Sequence, residues 1–196
     1  MKYSLLPLVC ICFASFGLYA QEKNELPYYE IPDYPAEYTP GAVAARMIDG
    51  LGFRYYWATE GLRPEDLAFK PGEESRTTAE TVDHIYGLSK TIINTALKKP
   101  NIRVEEPEMT FEEKRRKTLE NIKTAADIFR NTTSDLSEFT IVFQNPNGSS
   151  EYPFWNHLNG PIADAIWHCG QVVSFRRSSG NPFNSKVSVL RGKVRE

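Results

Sequence analysis

The sequence predicts an all-α fold, a four-helix bundle with an extended N-terminal arm. Four segments carry apolar side chains at helical spacing, and several begin with residues that cap helix N-termini. On a chain of 196 residues, amphipathic helices bury their apolar faces most simply against one another.

The first two helices are predicted from their start signals. One begins at Thr39, where a threonine followed by a proline suits a helix N-terminus, and runs to about residue 60. The next begins at a capping box of Thr77 and Glu80 and continues to about residue 97, with an apolar stripe that includes Ile85 and Leu88.

The last two helices complete the predicted bundle, which spans residues 39–181. Thr110 and Glu113 form a second capping box ahead of the third helix. The fourth helix is expected to start near Gly160 and Pro161 and to end around residue 178, before a glycine and a proline that stop helices.

The remaining segments are predicted to be less regular. Residues 139–143 favour β structure and precede a turn signal, so they could form a small hairpin before the last helix or only a loop. Residues 182–196 are expected to form an irregular C-terminal tail. Residues 21–38 carry prolines and four tyrosines without helical period, which indicates an extended arm docked on the domain.

The first twenty residues have the features of a secretory signal peptide. Lys2 precedes an apolar run over residues 5–18, and Ala20 is a small residue at the expected cleavage point. The run is shorter than the roughly 20 residues that span a bilayer, and no later segment is a better candidate. We therefore expect a cleaved, periplasmic or secreted protein with no integral membrane span.

The three cysteines fit this interpretation. Cys10 and Cys12 lie inside the signal, and each follows a large residue, which argues against a lipoprotein anchor. Cleavage would leave Cys169 alone, so we expect no intramolecular disulfide, and its place on an apolar face predicts a buried, inert thiol.

Charge and motifs exclude several classes of function. A formal net charge of −2 gives no electrostatic reason to expect nucleic acid as a partner. The basic run at residues 114–117 follows two glutamates and is interpreted as a solvated helix face. The chain has no HExxH motif, no phosphate-binding P-loop and no dinucleotide-binding GxGxxG motif.

The three histidines carry the candidate chemistry. Asp164 and His168 are spaced four apart on the fourth helix, which places them on one face, and Gln171 extends this polar strip by one turn. His84 lies beside the apolar stripe of the second helix. Helix bundles build metal sites from such inward residues on facing helices.

The segments around these residues resemble motifs of the DinB-like (YfiT-type) metal-binding family. Residues 163–171 resemble its fourth-helix signature, two histidines four apart followed by a Gly-Gln pair, and residues 75–84 resemble its second-helix motif. Residues 62–67 and 176–180 are similar to its usual connections, so the resemblance covers about residues 39–181.

The resemblance implies a four-helix bundle with a divalent-metal site. Its three-histidine ligand set falls on His84, Asp164 and His168, so Asp164 stands where the family usually has its middle histidine. Aspartate binds zinc, and two histidines with one carboxylate also suit iron, so zinc, nickel and iron all stay open. Gln171 would hold a ligand by a hydrogen bond. His157 matches no ligand position and is expected to pack within a loop, with a role as a fourth ligand left open.

Two functions follow as expectations. The first is a metal-dependent enzyme acting on a small molecule, with hydrolysis favoured over thiol transfer because small thiols are scarce outside the cytosol. The second is a periplasmic binding module with a degenerate metal site, in which the arm tyrosines and Trp57, Trp155 and Trp167 line a groove. In a third interpretation, Asp164 and His168 only neutralise each other. The metal, the substrate and a possible homodimer are left open.

Overall fold

The computed structural model describes residues 26–196, so the predicted signal peptide lies outside the described residues. The helices are α1 Pro40–Thr59, α2 Pro64–Ala68, α3 Thr78–Ala96, α4 Phe111–Asn131, α5 Phe154–His157 and α6 Ala163–Ser178. The strands are β1 Asn101–Ile102, β2 Ile141–Asn145, β3 Gly148–Tyr152, β4 Val187–Ser188 and β5 Lys193–Val194. The fold is therefore mostly helical, as predicted, but its small sheet makes it mixed rather than all-α.

The predicted capping residues start three of the long helices. The side chain of Thr39 accepts a hydrogen bond from the backbone of α1. Thr77 and Glu80 form a reciprocal capping box at the start of α3, and Thr110 and Glu113 form another at the start of α4. Each box satisfies backbone N–H groups that the helix cannot pair internally, which fixes where the helix begins.

The core lies among the four long helices. α1 packs against α4 and α6, and α3 packs against the same two helices. The largest fully buried apolar side chains come from these elements and the turn before α6: Ile48, Leu51, Phe53, Tyr55, Val82, Ile85, Ile92, Leu119, Ile122, Phe129 and Ile162. Because α3 and α6 are neighbours, polar residues along their contact can share one site.

The hairpin left open by the sequence is present. β2 and β3 pair antiparallel, with Ile141 opposite Tyr152 and Asn145 opposite Gly148. The two-residue strand β1 adds to β2 in parallel. The side-chain amide of Asn101 also donates to the carbonyl of Val142, which anchors β1 to the hairpin.

The N-terminal arm and the C-terminal segment cover α1 together. The Tyr28 ring is buried and its hydroxyl donates to Asp49, while Tyr34 and Tyr38 are exposed, so the arm docks through only part of its aromatic set. The Ile31 N–H donates to the carbonyl of Gly192. The prediction of an irregular C-terminal tail is wrong in part, since β4 and β5 pair within it.

Two basic residues of the long helices have buried side chains. Arg115 lies within the basic run of α4, and its guanidinium donates to the Thr59 hydroxyl and the Tyr56 carbonyl. Arg176 donates from α6 to carbonyls at the C-terminal end of α1, those of Trp57, Ala58 and Glu60. The interpretation of residues 114–117 as a wholly solvated face is therefore wrong at Arg115, because carbonyls that end one helix attract a cation from another.

Within residues 26–196, no helix is both long enough and apolar enough to cross a membrane.

Candidate metal centre

His84 owes its position to the start of α3. The capping box at Thr77 sets the helix register, and His84 then lies about two turns into the helix, beside buried Ile85. A residue adjacent to the buried stripe faces the groove between packed helices, and here the neighbour across that groove is α6. The His84 side chain is one-third exposed, so the groove is open to solvent at this point.

A π-helical turn precedes the other two site residues. Leu158–Ile162 continues from α5, with Gly160 in a non-helical conformation (φ −89°, ψ −109°) and Pro161 unable to donate a backbone hydrogen bond. Regular α6 begins at Ala163, somewhat later than the start predicted near Gly160 and Pro161. Asp164 and His168 therefore occupy the first turns of α6.

The structure brings the three predicted ligands together. The Nε2 atom of His84 lies 3.2 Å from one carboxylate oxygen of Asp164, and the Nε2 atom of His168 lies 3.3 Å from the other. One ligand atom from each residue can be chosen so that all lie within 4.8 Å of one another. Tetrahedral zinc with bonds of about 2.0–2.1 Å spaces its ligand atoms about 3.3 Å apart, so the two pair distances suit a shared ion.

Gln171 orients the His168 ring. Its Oε1 atom lies 2.7 Å from Nδ1 of His168, so a proton on Nδ1 is donated to the amide oxygen. In that neutral tautomer Nε2 carries a lone pair and faces the Asp164 carboxylate, which is also an acceptor. A metal ion bound between these two acceptors would make their 3.3 Å separation favourable. The same hydrogen bond is the usual support for a metal-binding histidine.

A cavity of about 380 Å³ adjoins this cluster. Its lining comprises Pro71, Ser75, Arg76, Thr81, His168, Gln171 and Phe175. Larger cavities of about 780 and 710 Å³ lie beside the sheet and at the start of α1, and no residue of the candidate metal centre lines them. The small cavity is therefore the one that bears on the chemistry of the cluster.

Sequence reasoning missed Arg76 as a residue of this site. It stands immediately before the Thr77 cap of the helix that carries His84. That position was a usable signal, because a residue just outside a helix cap lies at the same end of the helix as the first-turn side chains. Arg76 lies near His168 only because α3 packs against α6, and the local sequence pattern does not reveal that packing.

The third histidine, His157, lies apart from the cluster and is fully buried in α5. It packs against the rings of Phe129 and Phe154, and neither ring nitrogen has a hydrogen-bond partner in the described part of the chain. Burial lowers the pKa of His157 to about 4, which keeps the ring neutral. The predicted packing role is therefore correct, although His157 lies in a helix rather than a loop.

Cys169 follows His168 on α6 but faces the core. Its side chain is buried, and burial raises the pKa of the thiol to about 12, so the predicted inert thiol is confirmed. Among the tryptophans, Trp57 is buried under the arm while Trp155 and Trp167 are exposed. Trp57 therefore cannot line the open aromatic groove that the sequence suggested.

Comparisons of the chain with protein-family models, with curated proteins and with solved structures found no match.

Proposed function

We propose that this chain binds one divalent metal ion between α3 and α6 through His84, Asp164 and His168, and that it is a metal-dependent enzyme with hydrolysis as the favoured reaction. The observation that carries the proposal is the convergence of the three ligand atoms within 4.8 Å, although eighty residues of chain separate His84 from Asp164. Charge balance along α6 alone would involve only Asp164 and His168, whereas the cluster also includes His84 from α3.

The proposal includes a fold assignment. The four long helices α1, α3, α4 and α6 would form a four-helix bundle of the DinB-like type. Along the chain, β1 lies in the connection from α3 to α4, and β2 and β3 lie in the connection from α4 to α6. The packing of α1 and α3 against both α4 and α6 supports this assignment. In that family the middle ligand is usually a histidine, so Asp164 would make a two-histidine, one-carboxylate variant.

The ligand set suits several metals. Zinc, iron and nickel all accept imidazole nitrogen, and zinc and iron accept carboxylate oxygen at comparable distances. When bound, such an ion supplies a Lewis acid with a coordination position open to water or substrate. Within the chain, Gln171 would hold His168 in the tautomer that presents Nε2 to the ion, and Asp164 would offset part of its charge.

We further propose that the protein is exported. The basic residue, the apolar run and the small residue at Ala20 support a cleaved signal peptide. The mature enzyme would then act on a small molecule outside the cytosol. A periplasmic or secreted location also favours hydrolysis over thiol transfer, because small thiol co-substrates are scarce there.

A hydrolysis assay on metal-stripped and metal-restored protein tests the catalytic half of the proposal. We expect a panel of small ester and amide substrates to include at least one that the zinc-, iron- or nickel-restored protein cleaves. Its cleavage should disappear on chelation and return with the metal. His168→Ala should lack this activity under every metal, whereas the control His157→Leu should keep it. Equal activity in stripped, restored and His168→Ala protein would contradict metal-dependent hydrolysis.

A non-catalytic binding module with a degenerate metal site is the second candidate. It is favoured by the same pair distances, because protonated histidines can also stand 3.2 and 3.3 Å from a carboxylate. Exposed Trp155 and Trp167 would then supply contact surface for a partner. The two candidates differ in metal content, since only the first requires a stoichiometric ion.

A further inference from the structure

We propose that Arg76 is the substrate-anchoring residue of this site, and that the substrate is a small molecule with a carboxylate or phosphate group at the end away from the metal. This inference rests on the proposed metal centre. It adds the substrate class, which neither the ligand geometry nor the family resemblance specifies.

Arg76 lines the cavity that adjoins the candidate metal centre. His168 and Gln171 from α6 form one wall, and Arg76 lies on another, just before the cap of α3. The cavity of about 380 Å³ is within the range of about 300–1,000 Å³ typical of small-molecule sites. A molecule that fills it would therefore contact the guanidinium while lying beside the His168 ring.

The Arg76 side chain is available to a ligand. Its side chain is exposed, and it makes no hydrogen bond or salt bridge with any residue in the range 26–196. Glu80, one turn further along, is close enough to feel the charge of Arg76, but its carboxylate accepts from the Thr77 N–H in the capping box and not from the guanidinium. The buried arginines differ, because Arg115 and Arg176 donate hydrogen bonds to carbonyls at the C-terminal end of α1.

The positive charge at the cavity favours an anionic ligand. Among the described residues that line it, Arg76 is the one with a permanently charged side chain, and none has a carboxylate. A divalent ion held by two neutral imidazoles and one carboxylate leaves one further positive charge at the adjoining end. A guanidinium binds carboxylate or phosphate oxygens through two parallel N–H donors, so an anionic group is the complementary ligand.

Paired hydroxamate ligands test this inference on the intact zinc-loaded protein. The hydroxamate group chelates the metal, and the ligands differ only at the far end: acetohydroxamate and longer alkyl hydroxamates are neutral, and their partners carry a terminal carboxylate or a terminal phosphonate. Chains of two to five methylene groups vary the separation between the chelating group and the terminal anion. Binding is measured by calorimetry, and the carboxylate and phosphonate series distinguish the two anions.

In the wild type we expect at least one anionic ligand to bind about tenfold to hundredfold more tightly than its neutral partner of equal length, the gain of a charge-assisted hydrogen bond. Arg76→Gln should reduce that ratio to about twofold or less while acetohydroxamate binds as before. Arg103→Gln, which removes another exposed arginine that lines a different cavity, should leave the ratio unchanged.

Two other results would overturn the inference in distinguishable ways. An unchanged ratio in Arg76→Gln, with normal acetohydroxamate binding and zinc content, would remove Arg76 as the anchor and leave the metal centre intact. Failure of the wild type to retain zinc or to bind any hydroxamate would remove the metal centre itself, and the substrate inference with it.

Discussion

The imidazole rings of His84 and His168 lie edge to face with their centroids 4.6 Å apart, one carried by α3 and the other by α6. Asp164 lies within 3.3 Å of both Nε2 atoms, so its carboxylate links the two helices. Neither helix alone supplies this arrangement, since it requires the α3–α6 packing and the turn that starts α6. Substitutions that disturb that packing should therefore affect the site even when they touch no ligand.

Folding should become less favourable in mild acid because of His157. Its folded-state pKa of about 4 lies below the ordinary value of 6.5, so between these pH values the unfolded chain binds the additional proton. The contribution of neutral His157 to the free energy of unfolding is fully present above pH 6.5 and is lost as the pH falls toward 4. At pH 5 the loss should be about 2 kcal/mol, from about 1.4 kcal/mol per pKa unit.

Urea unfolding of the wild type and His157→Leu at pH 7.5 and pH 5 measures this effect. Leucine removes the titrating group and its two unpaired ring nitrogens, so the variant should lose about 2 kcal/mol less than the wild type between the two pH values. The other histidines are common to both proteins and cancel in the comparison. Identical losses would mean that His157 is not the buried neutral group described above.

Arg176 should be far more important for stability than its neighbour Arg177. Arg176→Met leaves the carbonyls of Trp57, Ala58 and Glu60 without their donor, which we expect to cost more than about 3 kcal/mol. Arg177→Met changes an exposed side chain and should stay within about 0.5 kcal/mol. Denaturant midpoints measure both, and similar values for the two variants would refute the capping role of Arg176.

The predicted elements were those specified by local residues. Thr77 and Glu80 fix the start of α3 whatever surrounds them, and so the position of His84 along its helix could be predicted. Burial of Arg115 could not, because its partners are the Tyr56 carbonyl, the Thr59 hydroxyl and the Glu60 carboxylate at the end of α1, which no local pattern reveals. The strand β1 escaped prediction for the same reason, since two residues carry no period and their partner lies in β2.

The candidate site was only partly predictable. The spacing of Asp164 and His168 places them on one face of α6, and the position of His84 beside the apolar stripe makes it a candidate partner. Which helices face each other does not follow from local spacing, so only the resemblance to a known ligand pattern joined the three residues. The sequence predicts a helix start near Gly160 and Pro161, whereas both residues lie in a π turn that continues from α5. Such turns require a tertiary context that stabilises the widened backbone.

Docking of the arm should depend on the absence of a side chain at Gly52. A Cβ atom there would lie 2.4 Å from the Tyr28 ring, so Gly52→Ala should displace the ring and break its hydrogen bond to Asp49. We expect a loss of at least about 2 kcal/mol and faster proteolysis of the arm. Gly87→Ala is the control, because nothing lies near its Cβ position and alanine should stabilise α3 by about 0.5–1 kcal/mol. Equal behaviour of the two variants would contradict this account of docking.

Export predicts a defined N-terminus. If residues 1–20 are a cleaved signal, protein recovered from the periplasm should begin at Gln21 or within a residue or two of it, as measured by intact mass. Soluble cytosolic protein that retains Met1 would end the export proposal without affecting the metal centre.

A histidine at position 164, as in the ligand pattern of the DinB-like family, should preserve the proposed metal site. Asp164→His replaces a carboxylate by a third imidazole at the same position on α6, so metal affinity should be equal to or higher than that of the wild type. Competition with a chromogenic chelator measures the affinity. A large loss in this variant, with normal folding, would show that the site requires a carboxylate at position 164 and would contradict the equivalence of aspartate and histidine there.

The central claim is most directly tested by the metal content of protein purified without a polyhistidine tag, supplemented with zinc, iron or nickel and then desalted. Elemental analysis should find about one ion per chain in the wild type and close to none in His168→Ala, because the loss of one of only three ligands leaves too few to retain the ion. Sub-stoichiometric metal in the wild type, unchanged in His168→Ala, would contradict the account and favour a structural pairing of Asp164 with the two histidines.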